Sequence, residues 1–174
     1  MDWSLVVGYA LAYGLVMSVL FTAGVFAGAA LSRDFLLNDY PEAVQERYGR
    51  PKSERGRRVA LWFGVIFWGG CCLPLMAGAI LHLRSALGSD LGFAAAGVAG
   101  AVMFATLSLF DLVVLDWIVL VGLRPGLLVL PGTEGMPEYR DLGFHAVEAL
   151  KGSPLVVVVG LAVGGVVALA EALA

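Results

Sequence analysis

Charge is what this chain of 174 residues has least of, with only 14% of its positions Asp, Glu, Lys or Arg against about 25% in ordinary soluble domains. With a hydrophobic fraction of 60% and a mean hydropathy of +0.88, there is too little polar surface for a soluble enzyme or a disordered tail. Two cysteines are too few for a disulfide-built secreted domain. A net charge of -3 offers no basic face, so no nucleic-acid partner is expected. The chain also lacks a nucleophile elbow, a phosphate loop, zinc-ligand spacing and a haem-attachment motif. Neither an enzymatic activity nor a cofactor is therefore expected.

What the sequence has instead is long stretches without charge. Ser4 to Leu31 contains no Lys, Arg, Asp or Glu, and further apolar runs cover Val59 to Leu81, the stretch within Leu91 to Val121, and Pro154 onward. About 20 apolar residues of helix cross a bilayer. The reading is an all-α integral membrane protein, an antiparallel four-helix bundle with spans at about 4–31, 59–81, 97–121 and 154–172 in a single domain 1–174. A cleaved leader is the competing account of the first run, since Ala27 and Ala29 form an A-x-A pattern. Asp2, the absence of Lys or Arg before the run, and the run's length all argue against it.

Ten of the eleven Lys and Arg residues lie in two segments. Residues 32–58 hold Arg33, Arg47, Arg50, Lys52, Arg55, Arg57 and Arg58; residues 122–153 hold Arg124, Arg140 and Lys151; only Arg84 lies elsewhere. By the positive-inside rule both segments face the cytoplasm and both termini lie outside, in the plasma membrane.

The first segment reads as one short helix from Asn38 to Gly49, capped by Asp39, with Pro41 in its first turn and Pro51 as a stop. Too short to be stable alone, it is expected to lie on the membrane or on the other loop through Val44 and Tyr48. Lys52, Arg55, Arg57 and Arg58 then sit at anionic headgroups, each contributing about 1 kcal/mol. In the second segment Pro131 to Pro137 is dense in turn residues, and Glu138 to Lys151 reads as an interfacial amphipathic helix presenting Leu142, Val147 and Leu150.

The run Leu109-Phe110-Asp111-Leu112-Val113-Val114-Leu115-Asp116-Trp117, then Leu130-Pro131-Gly132-Thr133-Glu134-Gly135 and Tyr139-Arg140-Asp141-Leu142-Gly143-Phe144-His145, resembles a group of small multi-pass bacterial membrane proteins with no assigned activity. With Asn38-Asp39-Tyr40-Pro41, the resemblance covers about half the chain. It implies an architecture and no catalytic residue.

The acids of the third span carry the strongest chemical signal. Asp111 lies about ten residues, or roughly 15 Å, inside the expected exit at Val121, near the midplane, where an Asp costs about 2.5 to 3.5 kcal/mol. Asp116 is five residues on, about 140° around an α-helix, so the two acids are expected on different faces with different roles. Asp116 is expected to be anchored by Arg33, Arg58 or Arg124. Asp111 has no cation at comparable depth, and two accounts stay open. In one it hydrogen-bonds Ser18, Thr22 or a backbone carbonyl and glues helices; in the other it is a reversible proton or cation site.

Gly69, Gly70, Cys71, Cys72, Leu73 and Pro74 predict a kink in the second span. Adjacent Cys71 and Cys72 cannot easily form a disulfide with each other but can present sulfur to one soft metal ion. The string is locally similar to the membrane cysteine pair of bacterial mercuric-ion transport proteins, though the further cysteine sites of those proteins are missing here. Gly24 with Gly28, and Gly160 with Gly164, have small-xxx-small spacing for close helix approach, within one chain or in a homodimer. His82 and His145 are expected to pair locally, His145 with Asp141 four residues before it. Three functions follow as expectations: an accessory or assembly protein with a membrane partner, placed first; a small transporter or proton/cation-conducting protein using Asp111; and a soft-metal handler using Cys71 and Cys72.

Overall fold

The computed structural model describes residues 1–174 and is helical throughout, with no strand. Helix α1 (Trp3–Leu31) starts where the Asp2 carboxylate accepts the N–H groups of Ser4 and Leu5, satisfying donors that the first turn leaves orphaned. A single 3₁₀ turn (Leu37–Asp39) leads to the short α2 (Glu42–Tyr48), which Gly49 ends in the left-handed conformation, φ 64°. Helix α3 (Glu54–Gly64) is capped by the Ser53 hydroxyl and runs on through a π-helix (Val65–Cys72) into α4 (Leu73–Leu87). Helix α5 (Gly92–Phe110) likewise continues as a π-helix (Asp111–Leu123). After 3₁₀ turns at Gly126–Leu128 and Pro137–Arg140 come α6 (Leu142–Gly152) and α7 (Pro154–Ala172).

Four continuous helices result: Trp3–Leu31, Glu54–Leu87, Gly92–Leu123 and Leu142–Ala172. Each is long and apolar enough to cross a membrane. Two of them begin well before their apolar runs, because residues 54–58 and α6 extend those rods as helix rather than standing as separate loop structure. Where a kink at Pro74 is expected, the helix is π-helical over Val65–Cys72, and the N–H of Leu73 reaches back five residues to the carbonyl of Trp68. A wider turn is one way a helix accommodates a proline that cannot donate.

Helix α5 is the hub. Its Gly97 lies against the Gly160 carbonyl of α7, and an added Cβ at Gly164 would stand 2.6 Å from the Phe93 carbonyl oxygen. On its other side, α1 approaches so closely that a Cβ at Gly14 would meet Thr106 at 2.7 Å. The small-residue spacing in α7 thus serves an approach within the chain. The pair in α1 admits side chains rather than the backbone of another helix. Gly24 receives the ring of Phe63 and Gly28 the ring of Phe35, so two aromatic side chains fill the space that the missing side chains leave.

One apolar core, including Val6, Met17, Met76, Leu83 and Met103, fills the end away from the loops. A second joins Val25 and Phe35 to Leu115 and Leu128, and a third joins Leu37, Tyr40 and Val44 to Leu130 and Tyr139. The third core resolves the alternatives for the first loop segment. Its helix begins at Glu42, not Asn38; Asp39 does not cap it; and it docks on the second segment through fully buried Val44.

Candidate functional site

Between the loop segments and the apolar core lies a cavity of about 690 Å³. Five carboxylates line it: Asp39, Glu42, Asp111, Asp116 and Glu148. His145 joins them, and no Lys or Arg lines the wall. Glu42 and Glu148 are exposed and mark the mouth, whereas Phe21, Phe63 and Phe104 line the end furthest from the loops beside Ser108 and Asp111. From Asp116 to Phe104 is twelve residues, or about 18 Å of helix.

Asp111 and Asp116 share this cavity because of the π-helix. Had the helix stayed α, five residues would have turned the second acid well away from the first. Over Asp111–Leu123 each turn closes on the fifth residue, as in the 2.7 Å bond from the Arg124 N–H to the Val119 carbonyl. That bonding brings residue i+5 back toward the azimuth of residue i. The expectation of separate faces is corrected on this ground, and the two acids line one cavity.

The partner of Asp116 also differs from expectation. It is His145, whose Nδ1 lies 3.2 Å from Asp116 Oδ2. The arginines expected to anchor Asp116 are elsewhere: Arg33 and Arg124 line a separate cavity beside Glu134, and Arg58 lines a groove between α1 and α3. His145 does not pair with Asp141 either. Asp141 caps α6 by accepting the Phe144 N–H at 2.9 Å, and that cap points the next residue, His145, inward. His145 is 5% exposed, and its Nε2 is buried without a hydrogen-bond partner. A buried imidazole nitrogen without a partner is rare in a folded chain, and here it belongs to the residue that meets Asp116.

Asp111 forms no ion pair; the five ion pairs of the chain all lie elsewhere. Ser18 and Thr22 do not serve it. Their hydroxyls donate back into α1, to the carbonyls of Gly14 and Ser18 at 2.8 Å each, and the residues α1 contributes to the cavity are Phe21 and Val25. At the mouth, Asp39 is itself exposed, yet the protein packed around its carboxyl raises it above the usual range; Lys52 opposes this and the charge of Asp116 adds to it.

The loop segments that roof the cavity are tied by a buried hydroxyl network. Tyr139 accepts the Leu130 N–H at 3.1 Å and bonds Thr133 Oγ1 at 2.8 Å, Thr133 donates to the Leu130 carbonyl, and Tyr40 donates to the Leu128 carbonyl at 2.7 Å. Gly132 and Gly135, at φ 85° and 80°, make the turns that allow it. Asp34 plays a similar part below: buried, it accepts from Ser32 Oγ, Ser53 N and Ser53 Oγ. Desolvation works against its charge, and these hydrogen bonds outweigh it and hold its carboxyl below the usual range. Local pattern did not reveal Asp34, Asp39 or the His145–Asp116 pair. The motif string that carries the resemblance does contain Asp39, Tyr40, Asp111, Asp116, Thr133, Tyr139 and His145.

The other candidate residues fall outside the cavity. Cys72 is buried with its thiol 3.7 Å from Met76 Sδ, and Cys71 lines the α1/α3 groove. No three His, Cys, Asp or Glu side chains converge as a metal site. Arg55, Arg57 and Arg58 are exposed and Lys52 is half-buried, with Arg57 paired to Glu54. His82 hydrogen-bonds Tyr13 across α1 and α4. At the end away from the loops, Glu171 accepts the N–H groups of Leu91 and Gly92 at 3.0 Å each.

An acid-lined cavity with low-dielectric walls concentrates cations, and the His145–Asp116 pair can hold and pass a proton between ring nitrogen and carboxylate. Comparison with protein-family models, curated proteins and solved structures gives no match for this chain.

Proposed function

We propose that this chain is a multi-pass protein of the cytoplasmic membrane that takes up protons or a small inorganic cation through the Asp111, Asp116 and His145 site. In this reading it is an antiparallel four-helix bundle with both termini outside and the two cation-rich loop segments in the cytoplasm. The facing pairs Phe93 with Gly164, and Gly97 with Gly160, run in opposite directions along α5 and α7, which supports the antiparallel arrangement. The observation that carries the functional reading is the buried, half-satisfied His145 on Asp116, in a cavity with five carboxylates and no cationic side chain. Aromatic rings line the far end of the cavity, and in this reading its mouth faces the cytoplasm. Passage across the membrane then requires a second arrangement, and the two π-helices are the places where the backbone is already off α register.

The test is flux in vesicles reconstituted with the purified protein and loaded with a pH-sensitive dye, with an imposed membrane potential. With the interior negative, the wild type takes up protons and acidifies the lumen, Asp111→Asn falls to the rate of protein-free vesicles, and Asp90→Asn at the opposite end keeps the wild-type rate. Proton movement that appears only with sodium outside identifies coupled exchange; movement independent of sodium identifies proton uptake alone. Wild-type vesicles no faster than empty ones, or full activity in Asp111→Asn, would overturn the reading.

An accessory or assembly role is the second reading. It draws on α6, which turns Leu142, Val147 and Leu150 outward, an apolar strip at the level where a membrane partner would seat. It predicts that Asp111→Asn is tolerated and that a stoichiometric partner survives mild solubilisation.

A further inference from the structure

A second cavity, of about 490 Å³, lies on the outer flank of the molecule, between α1 and the rod formed by α3 and its π-helix. Its α1 wall is Leu20, Gly24, Ala27, Gly28 and Leu31, spaced to share one helix face. The facing wall carries Val59, Trp62, Phe63, Ile66 and Phe67, with Cys71 at the far end. At the loop end stand Arg55 and Arg58, both exposed and neither in an ion pair, whereas Arg57 between them is held by Glu54. The two arginines are three residues apart and so neighbours on one side of the helix.

The dimensions match one molecule. From Arg55 to Cys71 is sixteen residues, about 24 Å at helical rise, which covers the headgroup zone and a hydrocarbon leaflet of about 15 Å. The apolar trough runs past Gly24 and Gly28, against which the rings of Phe63 and Phe35 are packed, and it ends in two guanidinium groups whose planar fork suits phosphate. The volume falls within the range of small-molecule sites.

We infer that this groove binds one anionic phospholipid, an acyl chain lying along Gly24, Ala27 and Ile66 and the phosphate held by Arg55 and Arg58. This is distinct from nonspecific attraction of the loop cations to a charged surface. A surface effect depends on how many cations there are, whereas the groove depends on which two and on the space beside them.

Native mass spectrometry of the detergent-purified full chain tests it, with palmitoyl-oleoyl phosphatidylglycerol titrated against phosphatidylcholine of the same chains. Wild type retains one phosphatidylglycerol in at least tenfold preference. Arg55→Gln with Arg58→Gln loses the preference, whereas Arg47→Gln with Arg50→Gln, which removes the same charge from exposed positions outside the groove, keeps it. Ala27→Trp projects into the trough from an exposed position and reduces retention of both lipids. Equal loss of preference in the two arginine pairs, or undiminished retention in Ala27→Trp, would overturn the assignment.

Discussion

Two adjacent glycines on α7 give a sharp test of how the bundle is packed. An alanine methyl at Gly164 would stand 2.6 Å from the Phe93 carbonyl oxygen and 3.2 Å from the Phe93 ring, whereas at Gly165 nothing lies within 4 Å. Real Cβ contacts essentially never fall under 3.0 Å, so Gly164→Ala requires α5 and α7 to separate by at least 3.0 − 2.6 = 0.4 Å along that line. The obstacle is backbone, which cannot rotate aside as a side chain can. Overpacking of this kind costs about 1 to 3 kcal/mol. Both substitutions gain the same preference of Ala over Gly in a helix, about 1 kcal/mol, so that term cancels in the comparison. The predicted gap between the two variants is therefore the overpacking cost itself, with Gly165→Ala at or above wild-type stability. Reversible unfolding in mixed micelles, followed by tryptophan fluorescence, measures the gap. Stabilities equal within about 0.5 kcal/mol would refute the close approach of α5 and α7.

Further predictions concern the roof of the cavity and its acids. Tyr139→Phe leaves the buried Leu130 N–H without an acceptor, while Thr133 keeps the Leu130 carbonyl; the loss is about 1 to 3 kcal/mol, read in the same unfolding assay and by earlier proteolysis of residues 122–140. Asp39 titrates above its unfolded value of about 3.9, so its contribution to stability is fully present below that value and is lost as pH rises through the raised one. Asp39→Asn should then match wild type at pH 3.5 and exceed it at neutral pH; a variant less stable than wild type at neutral pH would contradict this.

The sequence announced the four rods through charge-free length and announced Asp111 as the residue most out of place. Gly160 and Gly164 were legible too, because small-residue spacing is a local pattern. What could not be read was which side chains meet. Asp116 and His145 are 29 positions apart in the chain, and their pairing depends on a helical continuation through Ser153 that stands α6 over the end of α5. The π-helix at Asp111–Leu123 changes the period on which any face argument rests, and no composition rule marks where a helix widens. Gly24 and Gly28 show the same limit: their spacing permits close approach of a helix backbone, but the approaching groups are the rings of Phe63, from α3, and Phe35, from the following loop segment. Asp34 and Glu171 carry no local motif, yet Asp34 accepts the Ser53 N–H and Glu171 those of Leu91 and Gly92, each from a distant segment.

The central claim is that a cation-selective aqueous cavity reaches Ser108 from the loop side. It is tested most directly by Ser108→Cys in a chain also carrying Cys71→Ser and Cys72→Ser, reconstituted in vesicles and treated from either side with membrane-impermeant thiol reagents of opposite charge. The account predicts labelling from the loop side alone, at least tenfold faster for the cationic reagent, with Asp111→Asn plus Asp116→Asn narrowing the difference. A cysteine that resists both reagents from the loop side, or reacts equally with both, would contradict it.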